Sequence, residues 1–448
     1  MGGRSYPLAA EVPPRKWGAA NRVQQAPQAA GTPDGMPRSY AQLVPATGLA
    51  ADRLTPMNAI RDQAAIVGIG QTPFSKALGR SEIDMAVEAI HAACADAGLS
   101  PHEIDGVARF DMETIDEEKL LSILSPELGY HVCTPFGGGG AVSVLVHAAS
   151  AIALGLARHV LVFRSRARGK QSVYGKGSNQ GGRFWERMAL ELPELDQWQV
   201  PYGLVTPFME MAMIARRHMI DFGTTERQFA EVAVAQRRHA QRNPNAVMQT
   251  PMTLEDHAAS RYVAEPFRLF DCNIETDGAV AMIVSSTERA HDLRQPPALI
   301  HAGALAAGSH HRRLSTLFSR DRDHDSAARV GRELWASSGL QPSDVDAFFC
   351  YDFFTAFVLI ALEDYGFCKR GEGGPFVEDQ GIYFDGGRMP TNTSGGQLSE
   401  AFIHGVNNAL EAVRQIRGES TSQVPDCELV LLAGANTDPT GSVLLRKA

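Results

Sequence analysis

The stretch GLSPHEIDGV, residues 98–107, returns as GLQPSDVDAF at residues 339–348, the two copies sharing Gly-Leu-x-Pro-x-acidic-aliphatic-Asp in register. A ten-residue match alone carries little weight, but its surroundings repeat too. Ahead of the first copy, Ser81 reads as a helix N-cap, Ile83, Val87, Ile90 and Cys94 form an apolar face, and Gly98 is the stop. Ahead of the second, a helical pattern covers residues 326–338. Behind the first copy come a small-residue helix at 146–155 and an apolar strand at 159–163. Behind the second, their counterparts fall at 406–418 and 428–433. Matching order and spacing predict duplication of one α/β unit.

Alternating helices and wholly apolar strands imply an α/β class, with parallel or mixed sheets covered by helices and two halves related by a pseudo-twofold axis. The first strand is expected at residues 64–69. The reading divides the chain into a disordered extension (1–60), a first half (61–290) and a second half (291–448). The first half includes an inserted loop domain at about 164–260, which carries the polar run GKGSNQGGR at 175–183. The extension has no strand or helix period and, over residues 1–56, holds 8 of the chain's 25 prolines. Met57, just ahead of the first strand, reads as an alternative start.

Bulk composition narrows the function. The 448 residues are 44% hydrophobic, enough for one large core or two fused domains. A net charge of -9 without a dense Lys/Arg run argues against a nucleic-acid partner. Six cysteines without a CxxC pair suggest a reducing, cytoplasmic setting, and no apolar h-region marks a secretory signal. The most membrane-like stretch, residues 137–157, is interrupted by His147 and is expected to be a buried core helix, not a membrane span. No GxGxxG or P-loop pattern sits between strand and helix, so no nucleotide redox cofactor is expected. No zinc-ligand cluster is evident either.

Four segments go further: PYGLVTPFMEMAMIARRHM (201–219), PFRLFDCNIETDGAVAMIV (266–284), YDFFTAFVLIALEDYGFC (351–368) and NTSGGQLSEAFIHG (392–405). With them the chain resembles the thiolase superfamily from residue 64 to residue 447, in its sterol-carrier-protein-X-like, "lipid-transfer protein" branch. The resemblance implies the thiolase fold, two duplicated halves in a layered αβαβα arrangement.

The chemistry departs from that pattern. A thiolase needs a cysteine at the N-terminus of its central helix, where the dipole and free N–H groups stabilise a thiolate. Here that position falls at about Gly138, within the run 137–140, and Cys133 comes some five residues early. The histidine expected six residues after the paired glycines is replaced by Phe402, and AGANTDP (433–439) lacks the second cysteine. The resemblance therefore points to the branch of retro-aldolases that shorten sterol side chains as CoA thioesters. They work beside a small partner with a zinc ribbon and an OB-fold, so any zinc would belong to that partner.

Such an enzyme needs a base and enolate-stabilising donors, but no covalent nucleophile. In the resembled aldolases two tyrosines act as acid and base. Tyr351 fits the first position and Phe402 falls at the second, with His404 as substitute or the activity altered. Asp352 and Glu400 flank these residues as orienting groups, although exposed or capping carboxylates are commoner. Gly138 and Gly139 would offer room and backbone N–H groups, and Gly395, Gly396 and Phe402 would line the acyl-CoA site. Asp277-Gly278 reads as a turn. The expected function is a carbon–carbon lyase cleaving a branched β-hydroxyacyl-CoA, a steroid side-chain thioester among the candidates, to a ketone and a shortened acyl-CoA. The alternatives are a thiolase or acyltransferase with Cys133 as displaced nucleophile, and a non-catalytic scaffold subunit. A homodimer is expected by resemblance, or a heterotetramer with the zinc-ribbon partner.

Overall fold

The computed structural model describes residues 58–110, 115, 117–124, 127–134, 138–168, 204, 206–307, 326–436 and 439–448. The extension at 1–57, Gly137 and the run at 175–183 lie outside these residues.

Among the described residues nine strands form one sheet in the order β3-β2-β4-β7-β1-β8-β11-β10-β9. They are β1 (Ala64–Gln71), β2 (Gly106–Phe110), β3 (Tyr130–Thr134), β4 (His159–Ala167), β7 (Asp277–Ser286), β8 (Ala298–Ala306), β9 (Ala347–Phe349), β10 (Leu429–Ala433) and β11 (Thr440–Lys447). A separate hairpin holds β5 (Tyr262–Ala264) and β6 (Phe267–Arg268).

The sheet reads the same outward from its middle, where β1 and β8 pair antiparallel. Next to them, β7 and β11 are antiparallel partners, and each is followed by another antiparallel strand, β4 or β10. Then come parallel pairings, β4 with β2 and β10 with β9. β2 continues to parallel β3, and in the second half a parallel bridge between Phe348 and Thr391 stands in that place. The duplication expected from the two ten-residue copies is thus present in strand order and direction.

The repeated aspartate has a physical job in both halves. Asp105 Oδ1 accepts hydrogen bonds from the backbone N–H groups of Arg158 and His159, both at 2.8 Å. Asp346 Oδ2 does the same for Glu428 and Leu429, both at 2.9 Å. Each carboxylate ties the end of one strand's entry loop to the start of its parallel neighbour and satisfies donors that the ladder leaves over.

Helices cover the sheet. α1 (Glu82–Ala97) starts at Ser81, whose side chain accepts from Asp84 N–H, and stops at left-handed Gly98, as its caps predict. It covers the outer face of β1, β4 and β7. α2 (Gly140–Ala153) contacts strands of both halves and is buried along nearly its whole length, as expected of the apolar stretch that contains it. α3 (Pro207–Phe222) and α4 (Glu226–Arg242) belong to the insertion. α5 (Ser326–Ser338) covers β8 and β11 from outside, and α6 (Thr355–Asp364) is buried from Thr355 to Leu362 in the second core. α7 (Val406–Arg417), the counterpart of α2, shares the middle layer with it.

Two expectations need correction. β4 runs through Arg164 to Ala167, so Arg164 belongs to the sheet and not to an irregular insertion. Asp277 and Gly278 open β7 instead of forming a turn: Asp277 Oδ2 accepts from Leu78 N–H at 2.8 Å, and a Cβ on Gly278 would lie 2.5 Å from the Phe74 ring. No helix among the described residues is long and apolar enough to cross a membrane.

Losing a charged acceptor that serves two strand-start amides costs about 2 kcal/mol. Asp105→Ala and Asp346→Ala are each expected to lower the unfolding free energy by that amount, read from urea denaturation, with the Asn variants losing less. An unchanged midpoint in both Ala variants would assign the strand starts to the turns alone.

Candidate active site

The site forms where the start of α2, the end of β9 and the loop before α7 meet. β9 delivers Cys350, Tyr351 and Asp352 in succession, and the chain around Cys350 is fixed as though another strand lay beside it. Cys350 N–H donates to Asn392 Oδ1 at 3.0 Å, and its carbonyl accepts from Asn392 Nδ2 and Asn408 Nδ2. An asparagine side chain can imitate a peptide group in this way.

Asp352 is fully buried, against the commoner expectation of an exposed or capping carboxylate. Its oxygens accept from Gln397 N–H at 2.9 Å, and from Gln397 Nε2 and Asn408 Nδ2, both at 3.2 Å. Burial raises its carboxyl above the usual range, and those hydrogen bonds oppose the shift. Gly396 is required here: its φ is +55°, and a Cβ would meet Asp352 Oδ2 at 2.1 Å. Gly395 abuts Ala240 of α4 in the same way. On their Cβ sides, both expected substrate-binding glycines face protein. Glu400 is likewise buried, accepting from Asn243, Ser394 and Asn407, and burial lifts it to about 7.

The Tyr351 ring lies against Gly138, about where the resemblance implies a nucleophile. A Cβ on Gly138 would lie 2.5 Å from Tyr351 Cζ, 2.8 Å from Cε2 and 2.9 Å from Ala435 Cβ. A cysteine and this tyrosine exclude one another. Gly139 is needed for a different approach, since a Cβ there would lie 2.1 Å from the Pro439 carbonyl oxygen. The Tyr351 ring packs edge-on against Phe353 and Phe402 at 5.2 and 6.5 Å. Its hydroxyl makes no hydrogen bond to a described residue. Burial pushes its phenol well above the usual value, while Arg166 and Arg164 pull the other way.

Phe402 and His404 complete the cluster. Phe402 N–H donates to Thr276 Oγ1 at 3.0 Å, and its ring lies 4.7 Å from the His404 ring. His404 lies outside any helix. It is a left-handed residue (φ 51°) just ahead of α7, and its ring is bonded to Arg166, not to a carbonyl: Nη1 stands 2.7 Å from Nε2 and 3.0 Å from Nδ1. Burial and then the neighbouring arginines hold its pKa far down, so the imidazole is neutral and accepts from the guanidinium.

The arginines had not been singled out from sequence. Arg164 and Arg166 share one face of β4 with Val160 and Val162, so the period-2 pattern of the apolar strand continues into two inward cations. Arg166 reaches Glu275 at 3.3 Å and lies 5.3 Å over the Phe402 ring. Burial lowers its guanidinium to about 9, which still leaves it a cation at neutral pH.

Cys133 stands within β3, opposite Arg109, ahead of the start of α2. Burial raises the thiols of Cys94, Cys272, Cys350, Cys368 and Cys427, the reverse of what a thiolate nucleophile needs. Among the described residues no group of three His, Cys, Asp or Glu side chains is placed to hold a metal.

Comparison with known proteins gives this geometry a setting. Residues 306–440 match the family described as Thiolase C-terminal domain-like. A 17-hydroxy-3-oxo-4-pregnene-20-carboxyl-CoA lyase of Mycobacterium tuberculosis is 43% identical over 386 residues, 86% of this chain and 99% of that protein. A steroid side-chain-cleaving aldolase of Thermomonospora curvata is also 43% identical, over 87% of this chain and 99% of its own length. Among solved structures, the Ltp2-ChsH2(DUF35) aldolase aligns with a TM-score of 0.78 at 41% identity, covering 87% of this chain and 98% of that one. The fold and the matched length agree: the chain belongs to the thiolase superfamily, in the branch that contains the steroid side-chain-cleaving aldolases.

Proposed function

We propose that this chain is a carbon–carbon lyase that cleaves a branched β-hydroxyacyl-CoA by retro-aldol chemistry, with Tyr351 as the acid–base residue. One observation carries the reading: the Tyr351 ring occupies the space beside Gly138 that a thioester-forming cysteine would need.

The reaction breaks the Cα–Cβ bond. A base takes the β-hydroxyl proton, and the oxygen pair collapses to a carbonyl. The bond electrons pass to the thioester as an enolate, which is then protonated at Cα. Tyr351 accounts for both transfers in one cycle. As phenolate it accepts the hydroxyl proton, and as phenol it returns that proton to Cα, regenerating the phenolate. Such a cycle fits a site where Phe402 holds no second hydroxyl. His404, neutral and engaged by Arg166, serves as an auxiliary that helps hold that cation. The Gly138 amide, just ahead of α2, is a candidate donor to the thioester oxygen.

The substrate in this reading is a steroid side-chain CoA thioester, of the kind that the Mycobacterium tuberculosis relative's name describes. A hydroxyl β to the thioester would leave as a ring ketone, together with a shortened acyl-CoA. A homodimer, working in the cytoplasm beside a zinc-ribbon and OB-fold partner, belongs to the same proposal. The two-component aldolase among the similar structures supports a complex of that kind. The reaction calls for no redox cofactor in this chain, and CoA enters as part of the substrate.

Purified protein, alone and with such a partner, should convert a branched β-hydroxyacyl-CoA to ketone and shortened acyl-CoA without added free CoA, followed by mass spectrometry. Tyr351→Phe should lower kcat by about 10²–10⁴. Product that forms only with free CoA would instead indicate thiolysis.

Because burial keeps Tyr351 mostly as phenol, the active base is scarce at neutral pH. The expected kcat/KM therefore rises with pH, near tenfold per unit, up to at least about pH 10, the ordinary phenol value. A profile flat across that range would mean that Tyr351 acts only as an acid.

A further inference from the structure

The inner face of β4 carries a cost that stability does not explain. Arg166 is essentially without solvent, and burying a guanidinium costs several kcal/mol unless its partners are excellent. Among the described residues its ion-pair partner is Glu275, 3.3 Å away. His404, neutral, accepts from it without cancelling its charge. Arg166 Nε has no partner among the described residues. An apolar pair would fill the same space at less cost.

The surroundings nevertheless hold this cation in one place. On the opposite face of β4, Ser165 Oγ donates to the Glu82 carbonyl at 2.7 Å and Ala167 N–H to Glu82 Oε1 at 3.0 Å, which fixes the strand end. The segment carrying Glu275 is fixed on both sides. Asn273 N–H donates to the Phe353 carbonyl, Ile274 N–H to the Gln397 carbonyl, and Phe402 N–H to Thr276 Oγ1. The guanidinium then lies over Phe402, whose ring is the edge-on neighbour of Tyr351.

We propose that Arg166 is a positioning residue for the lyase reaction: anchored by Glu275 and His404 across Phe402, its charge stabilises the Tyr351 oxygen as phenolate and compensates for the absent second hydroxyl. This rests on the assignment of Tyr351 as the acid–base group. The charges that act on Tyr351 are Arg166 and Arg164 from β4, Asp352 beside it, and Glu275. Those that act on Arg166 are Glu275, Arg168, Arg164 and Glu82. The two arginines favour the phenolate and the two carboxylates oppose it, so removal of either sign has a definite direction.

The test reads ionisation apart from turnover. Difluorotyrosine is incorporated at residue 351, which brings its titration into a pH range the fold tolerates, and phenolate absorbance is followed in the full chain. Arg166→Gln should move that titration to higher pH, Arg166→Lys by less, and Glu275→Gln to lower pH. In the unmodified background, kcat/KM at neutral pH should fall about tenfold for each unit of upward shift. Equal titrations in folded Arg166→Gln and wild type would overturn the proposal. If Arg166→Gln fails to fold, equal titrations in Arg166→Lys and wild type overturn it instead. Shifts in the expected directions without lyase turnover in wild type would retain the electrostatic role and reject the reaction.

Discussion

The Asp352 carboxylate is the contact on which the site depends. Buried without solvent, it can remain there only because three N–H donors meet it, two from Gln397 and one from Asn408. Those donors belong to the loop that ends at His404 and to the helix that follows, while Asp352 itself is the neighbour of Tyr351. One buried anion thus fixes the distance between the two segments that carry the chemistry. Gly396, Gly395 and Asn392 take left-handed backbone around it, a conformation with a local cost that is stable only because the surroundings over-determine it.

The duplicated halves contribute differently to this centre. Both use an aspartate to start a strand and both place a small-residue helix in the middle layer. The first half supplies the beginning of α2 and the two inward arginines of β4. The second supplies Tyr351 from the end of β9 and the loop before α7. A pseudo-twofold scaffold therefore yields an asymmetric site: in the register of the two copies Phe110 stands where the second half has Tyr351, and Gly138 ahead of α2 stands where the second half has His404 ahead of α7.

Much of this was legible in the sequence. The ten-residue copies and their flanking patterns fixed strand order well enough to expect two halves, because a repeated order of elements leaves few foldings. Gly138 and Tyr351 were both singled out, but their contact was not, since no spacing rule relates residues 213 positions apart. Arg164 and Arg166 were missed for a definite reason. Two arginines after an apolar run look like a strand leaving the core, whereas the period-2 register with Val160 and Val162 was the signal that they stay inside. Asp352 and Glu400 were recognised as neighbours of the site, yet their complete burial depends on donors such as Asn243, Gln397 and Asn408 that only the folded chain assembles.

The shared volume at Gly138 and Tyr351 also constrains how such a protein can change over evolutionary time. A cysteine introduced while the tyrosine remains collides with its ring, and on the proposed mechanism a tyrosine lost while the glycine remains leaves neither nucleophile nor acid–base group. Both single steps pass through a damaged protein. On that reading, exchanging a tyrosine for a cysteine at this place demands paired substitutions on the two halves of the chain.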